Sequence, residues 1–131
     1  MVVNEGRNGT DNLRAVSEEA TTSIHLPPER AAEMIEGGDV AVVDVRRDYE
    51  WEAGHLPDAV RIEVNELTSR SDEIPRDKPV IFVCRAGNRS GMAAEAFRQA
   101  GWDAYHVEGG LQAWVQAGQP LDGEVVEPHP Q

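Results

Sequence analysis

Cysteine and lysine each occur once in this sequence of 131 residues, as Cys84 and Lys78. A single thiol has no partner within the chain for a disulfide, so the cysteine count gives no support for an oxidising compartment. The sequence also lacks an apolar run near the length of a membrane span, and its start lacks the apolar core of a signal peptide. These absences predict a cytoplasmic protein with no membrane partner.

Positive charge is also scarce. The sequence has 12 lysines and arginines against 24 aspartates and glutamates, which gives a formal net charge of -12. A surface this acidic repels nucleic acid, so no nucleic-acid partner is expected. One cysteine and 4 scattered histidines offer no zinc-ligand spacing, and neither a metal nor an organic cofactor is predicted. His25 and His106 have no evident constellation of partners in the sequence.

Both ends of the chain differ in pattern from its middle. Residues 1–22 are polar and without sustained periodicity, which predicts a flexible N-terminal extension, and residues 122–131 predict a flexible C-terminal tail. One folded domain is expected between them, over residues 23–121. Its length is enough to bury a core without disulfides.

Within this domain, short apolar runs alternate with helical patterns. The runs that predict strands are DVAVVDVR, AVRIEV, PVIFVC and DAYHVE. NELTSRSDEI predicts a short helix opened by Asn65, and SGMAAEAFRQAG predicts a helix whose apolar face contains Met92, Ala93, Ala96, Phe97 and Ala100. Alternation of this kind predicts an α/β fold with a mostly parallel central sheet and helices on both faces. Ligands bind such folds at the carboxyl ends of the strands, where Cys84 and the segment 44–46 fall.

The stretch FVCRAGNRSG, residues 82–91, suits a reactive thiol. The thiolate is the nucleophile, so a reactive cysteine needs surroundings that favour the anion. Here the loop leads into a predicted helix N-terminus, Ala86 and Gly87 let the backbone curl around the sulfur, and Arg85 and Arg89 add positive charge. A cysteine at a strand end is often only a small core residue, but this continuation favours the reactive interpretation.

CRAGNRS resembles the active-site loop of single-domain rhodaneses, the thiosulfate-type sulfurtransferases. VVDVR (42–46), EWEAGHLPDAV (50–60) and VEGGLQAW (107–114) resemble other signatures of that family, and the resemblance covers roughly residues 24–121. It implies a rhodanese-like α/β domain in which Cys84 carries sulfur as a persulfide. The residues that it assigns to the cradle around that sulfur are Arg85, Ala86, Gly87, Asn88 and Arg89.

Supporting roles are expected for Asp44, Arg46 and Ser90. A carboxylate in a run as apolar as VVDVR needs a partner, so Asp44 is expected to brace a loop arginine or a backbone donor. Arg46 either reaches the anion pocket or pairs with an acid. Arg89, beside Ser90 at the predicted helix start, is expected to fold back and brace the loop through Asp44, whereas Arg85 is expected at the pocket mouth.

The favoured function is transfer of sulfane sulfur from thiosulfate or a similar small donor to cyanide, a thiol or a protein acceptor. Cysteine phosphatases and some arsenate reductases are the second enzyme class, but their loops place five residues between cysteine and arginine, whereas Cys84 and Arg89 enclose four, RAGN. The third alternative is a non-catalytic rhodanese-like module that carries sulfur or senses redox state. His55, in AGHLPDA, is expected to have a structural role, its ring bonding backbone groups.

Overall fold

A computed structural model describes residues 23–126, and the predicted N-terminal extension lies outside this range. The strands are β1 (His25–Leu26), β2 (Ala41–Asp44), β3 (Gly54–His55), β4 (Val60–Arg61), β5 (Val80–Val83), β6 (Ala104–Val107) and β7 (Asp122–Gly123). Five of them form one sheet in the order β1-β6-β5-β2-β4, and every pairing in that sheet is parallel. The predicted parallel sheet is therefore confirmed.

Helices cover both faces of this sheet. They are α1 (Pro28–Gly37), α2 (Asp48–Ala53), α3 (Asn88–Gln99) and α4 (Gly110–Gln116), with 3-10 turns at Val64–Glu66 and Ser71–Glu73. Successive side chains of β5 point to opposite faces, so that Phe82 packs with α3 and Ile81 packs with α1 and α4. Both faces of β5 are buried, which explains its continuous apolar sequence. No helix between residues 23 and 126 is long and apolar enough to cross a bilayer.

Two expectations about local structure are wrong. The segment predicted as a helix from Asn65 contains only the two 3-10 turns. Its polar side chains compete for backbone groups, as when the Ser69 hydroxyl donates to the Glu66 carbonyl at 3.1 Å.

The buried stripe of α3 is also rotated from the predicted one. Met92 is 68% exposed, and the buried positions are Ser90, Ala93, Ala94 and Phe97. These follow the i, i+3, i+4, i+7 spacing of one helical face, but the first of them is a serine. Apolarity alone therefore placed the face incorrectly.

The start of the predicted C-terminal tail packs against α2. Strand β7 pairs antiparallel with β3, and the Glu124 amide donates to the Ala53 carbonyl at 2.9 Å. A Cβ at Gly54 would collide with the backbone of Glu124, so these two backbones touch only because residue 54 is glycine. Residues 127–131 of the predicted tail lie outside the described range.

Candidate active site

The loop between β5 and α3 curls around the only thiol of the chain. The Cys84 side chain is buried, with 1% of the residue exposed. Its sulfur accepts hydrogen bonds from the backbone amides of Gly87 at 3.1 Å and Ser90 at 3.3 Å, and it lies 3.3 Å from the Ser90 hydroxyl. Gly87 has a φ of 104°, a left-handed conformation that turns the chain sharply enough to aim these amides inward. The loop therefore presents hydrogen-bond donors to negative charge on the sulfur.

The N-terminus of α4 fixes this loop from behind. The amide of Leu111 donates to the Cys84 carbonyl at 2.8 Å, and that of Gln112 donates to the Arg85 carbonyl at 3.0 Å. These two bonds tie the first two peptide groups of the loop to α4. Gly110, with a φ of 67°, lies so near that a Cβ would collide with the Arg85 carbonyl. The pair Gly109 and Gly110 is visible in the sequence, but its contact with the loop is not.

Gly110→Ala is predicted to damage the loop more than a matched glycine substitution elsewhere. Gly38 also has a positive φ, of 82°, but a Cβ there meets nothing within 4 Å. Both variants carry the strain of an alanine at positive φ, about 1–2 kcal/mol, and Gly110→Ala adds a collision costing roughly 1–3 kcal/mol. Thermal melts should show the larger drop for Gly110→Ala. Equal drops would mean that α4 and the loop are not in close contact.

A buried ion pair ties the loop to α2. Arg89 donates from both terminal nitrogens to the Glu50 carboxylate, at 2.9 and 3.0 Å, and the Arg47 amide adds a third bond at 3.2 Å. The Glu50 side chain is 0% exposed and that of Arg89 is 29% exposed. Burial opposes ionisation of Glu50, but the bonds from Arg89 and the Arg47 amide outweigh it and hold the pKa of this carboxyl below its ordinary value.

The expectation that Arg89 braces the loop through Asp44 is therefore wrong, because the bracing acid is Glu50. Sequence reasoning missed Glu50 as a site residue. The available signal was its position as the first residue of EWEAGHLPDAV, in the first turn of a short helix.

Asp44 and Arg46 form a fully buried ion pair beneath the site. Both side chains are 0% exposed, and the Arg46 Nη2 lies 2.7 Å from an Asp44 carboxylate oxygen. Asp44 also accepts the Arg46 backbone amide at 3.1 Å, while Arg46 donates to the Gly54 carbonyl at 2.7 Å. Of the two alternatives for Arg46, the structure shows pairing with an acid. The pair holds the chain between β2 and β3 in place.

A pocket of about 520 Å³ opens beside Cys84. Its lining residues are Val45, Arg47, Glu63, Val64, Asn65, Cys84, Arg85, Ala86, Asn88 and Arg89. The structure thus brings Cys84 together with four of the five predicted cradle residues in the lining, and Gly87 contacts the sulfur directly. Ser90 lies beneath the sulfur, and Asp44 and Arg46 do not line the pocket. Three arginines and one glutamate give the pocket an excess of positive charge in an otherwise acidic chain.

The His55 ring has backbone and aromatic partners. Its Nδ1 donates to the Trp51 carbonyl at 2.8 Å, and the two rings stack with centroids 3.7 Å apart. This contact joins α2 to β3, as expected for a structural histidine. Among residues 23–126, no cluster of three histidine, cysteine or acidic side chains is placed to hold a metal ion.

His25 and His106 do have partners, contrary to the sequence-based expectation. His25 Nδ1 lies 2.7 Å from His106 Nε2, and His106 Nδ1 lies 3.2 Å from the Ser90 hydroxyl. These residues meet because β1 pairs with β6 in a register that places His25 beside His106. The connection leads to the sulfur of Cys84 through Ser90.

Comparison with known proteins identifies the class of protein that this fold and loop define. The chain belongs to the rhodanese-like domain family, whose model matches residues 27–117. A rhodanese-related protein of Thermoplasma volcanium has a solved structure that matches with a TM-score of 0.69 and 33% identity, covering 78% of this chain and 98% of that one. The predicted family is confirmed.

Curated relatives include a small enzyme and longer proteins. The thiosulfate sulfurtransferase GlpE of Pseudomonas syringae is 38% identical over 90 residues, which cover 68% of this chain and 84% of GlpE. An uncharacterized Synechocystis protein is 33% identical over 76% of this chain, and an HTH-type transcriptional regulator of Mycobacterium tuberculosis is 36% identical over 80%. The chain spans only about half the length of these two, 56% and 45% respectively.

Proposed function

We propose that this chain is a sulfurtransferase that carries sulfane sulfur as a persulfide on Cys84. The observation that carries the proposal is the sulfur itself, which accepts hydrogen bonds from two backbone amides and contacts the Ser90 hydroxyl at the base of an arginine-lined pocket. The similarity to a relative named thiosulfate sulfurtransferase supports thiosulfate, or a similar small anion, as the donor. The acceptor is cyanide, a thiol or a protein.

In the first half-reaction, the Cys84 thiolate attacks the outer sulfur of thiosulfate. A new S–S bond forms, the S–S bond of thiosulfate breaks, and sulfite leaves with the electron pair of that bond. The charge is conserved, because thiolate and thiosulfate become persulfide anion and sulfite. The arginines of the pocket attract the dianionic donor, and backbone donors stabilise charge without having to reorganise.

In the second half-reaction, cyanide or an acceptor thiolate attacks the outer sulfur of the persulfide. The bond to Cys84 breaks, and Cys84 leaves as a thiolate. The amides of Gly87 and Ser90 already point at this sulfur, so the same donors stabilise the leaving group. The acceptor must reach into the pocket, because Cys84 is 1% exposed.

Mass spectrometry of the intact protein tests the proposal. Thiosulfate should add the mass of one sulfur atom, and cyanide or a reducing thiol should remove it. Aryl phosphates, assayed in parallel, should not be hydrolysed, because the loop between Cys84 and Arg89 is one residue shorter than that of cysteine phosphatases. Phosphate release without sulfur loading would overturn the proposal, and loading without turnover on any acceptor would indicate a sulfur carrier.

Arg85→Ala is predicted to weaken donor binding and leave the fold intact. Arg85 lines the pocket and is half-buried, so its loss removes one favourable contact with a dianion. The KM for thiosulfate should rise by about tenfold, which corresponds to about 1.4 kcal/mol. The melting temperature should stay nearly unchanged.

Glu63 supplies a matched control of opposite sign, because it lines the same pocket. Glu63→Gln removes a negative charge and should lower the KM for thiosulfate. A fall in kcat at unchanged KM in Arg85→Ala would show that Arg85 acts on the chemical step and does not merely attract the donor.

A further inference from the structure

A chain of hydrogen bonds runs from the reactive sulfur through the protein to its surface. Cys84 Sγ lies 3.3 Å from Ser90 Oγ, Ser90 Oγ lies 3.2 Å from His106 Nδ1, and His106 Nε2 lies 2.7 Å from His25 Nδ1. The interior members are almost inaccessible, with Ser90 0% and His106 4% exposed, whereas His25 is exposed. This chain connects a buried sulfur to solvent at β1, an edge strand of the sheet.

The chain of hydrogen bonds leads away from the sulfur by a route separate from the pocket. Ser90, His106 and His25 are not among the residues that line the pocket beside Cys84. Their side chains meet where α3 packs against β6 and β1, whereas the loop and residues 63–65 line the pocket. A donor that fills the pocket therefore covers the open side of the sulfur without touching this chain.

Each member of the chain can both donate and accept a hydrogen bond. A hydroxyl does so by rotation, and a neutral imidazole does so because either ring nitrogen can carry the proton. The chain therefore has two complete orientations, one with all donors pointing away from the sulfur and one with all donors pointing toward it. The first suits a protonated thiol and the second suits a thiolate.

His106 is poised for this exchange as a neutral ring. Burial lowers the pKa of His106, and the neighbouring His25 lowers it further, against a smaller opposite effect from Glu108. From α3, Ser90 and the backbone of Gly91 lie against the ring, and neither is charged. The titratable groups that shift the pKa of His106 are thus His25 and Glu108.

We propose that Ser90, His106 and His25 form a proton relay, which carries the thiol proton of Cys84 to solvent while the pocket is occupied. This inference rests on the proposed function. The S–H proton passes to Ser90 Oγ as the Ser90 hydroxyl proton passes to His106 Nδ1. The proton on His106 Nε2 then passes to His25 Nδ1, and His25 Nε2 releases one to water. One proton leaves the thiol, one enters solvent, and both rings end neutral. His25 and His106 are positioning residues, because they act through Ser90.

The first test measures persulfide formation in a single turnover at rising thiosulfate concentration. His106→Asn retains a hydrogen-bonding group near Nδ1 but cannot exchange protons as an imidazole does, and His25→Ala cuts the relay at its exposed end. In His106→Asn the proton can leave only through the pocket, so excess thiosulfate should inhibit loading by about tenfold relative to the wild-type protein. In His25→Ala water replaces the imidazole as the acceptor from His106, so the inhibition should be smaller. Free imidazole should restore His25→Ala. Loading at the wild-type rate in both variants, without inhibition by thiosulfate, would overturn the relay.

The second test needs no sulfur donor, so it separates the relay from the proposed function. In His106→Asn, the Ser90 hydroxyl keeps a hydrogen-bonding neighbour and the Gly87 carbonyl, 3.4 Å away, but there is no imidazole to pass the thiol proton on to His25. Alkylation of Cys84 by iodoacetamide should therefore slow in His106→Asn at neutral pH, and it should match the wild-type rate at alkaline pH. An equal rate at neutral pH would contradict the relay even if thiosulfate loads the protein.

His55→Asn is the matched control, because His55 belongs to the contact with Trp51 and not to this chain. His55→Asn should lower the melting temperature, but excess thiosulfate should not inhibit its sulfur loading. If neither wild-type protein nor variants load sulfur but alkylation differs as expected, the relay stands and the sulfurtransferase proposal fails.

Discussion

Cys84→Ser should abolish sulfur loading, with a loss on the order of a thousandfold or more in turnover of thiosulfate. A serine hydroxyl is a far weaker nucleophile than a thiolate, and the chain contains no second thiol to take over. The serine oxygen can still accept hydrogen bonds from the loop amides that now bind the sulfur, those of Gly87 and Ser90. The fold should therefore survive, and a thermal melt should show only a small change.

Cys84→Ala is the appropriate comparison for stability. Alanine leaves the same two amides without an acceptor, at a cost of about 1–3 kcal/mol for each buried donor. It should melt below Cys84→Ser although both are inactive. If Cys84→Ser still formed thiocyanate from thiosulfate and cyanide, the nucleophile would have to be another group.

Arg89→Ala should lower stability and activity together. It leaves the fully buried carboxylate of Glu50 without its main partner. Breaking a fully buried pair costs roughly 3–5 kcal/mol, and the 29% exposure of Arg89 places the expected loss near or below the lower limit. The loop would also lose its tie to α2, so loading should slow. Urea unfolding and single-turnover kinetics measure the two effects.

An exposed pair of the same chemistry provides the control. Arg70 makes two bonds to the Glu73 carboxylate, at 2.8 and 2.9 Å, with 36% and 48% of the side chains exposed. Arg70→Ala should leave both stability and sulfur loading unchanged, because solvent screens such pairs. Equal destabilisation in the two variants would show that the buried pair has no special role.

The destabilisation caused by Glu50→Gln should disappear in acid. A carboxyl with a lowered pKa in the folded state stabilises the protein above its unfolded-state pKa, and this contribution disappears as pH falls toward the folded-state value. The wild-type protein should therefore be more stable than Glu50→Gln at neutral pH, and the difference should shrink as pH falls below about 4.5, the ordinary value for glutamate. A difference that does not change with pH would indicate packing and not charge.

The sequence by itself determined the α/β alternation, the parallel sheet and the loop that contains the thiol. Those features are local: β5 is apolar because both of its faces are buried, and the loop needs small residues and a positive φ at Gly87. Patterns in the local sequence predicted less well where a polar residue belongs to the buried face of a helix. Ser90 belongs to the buried face of α3, and a scan for apolar residues alone selects Met92 in its place.

Only the tertiary structure decided which distant polar residues meet. Glu50 and Arg89 are 39 positions apart, and His25 and His106 are 81 apart. A glutamate in a short helix or a histidine in a strand looks the same in sequence whether it is solvated or buried against a partner. The register of β1 on β6 places the two histidines side by side, and the packing of α3 on β6 brings Ser90 to them. These contacts depend on pairing between strands remote in sequence, which no local pattern of residues records.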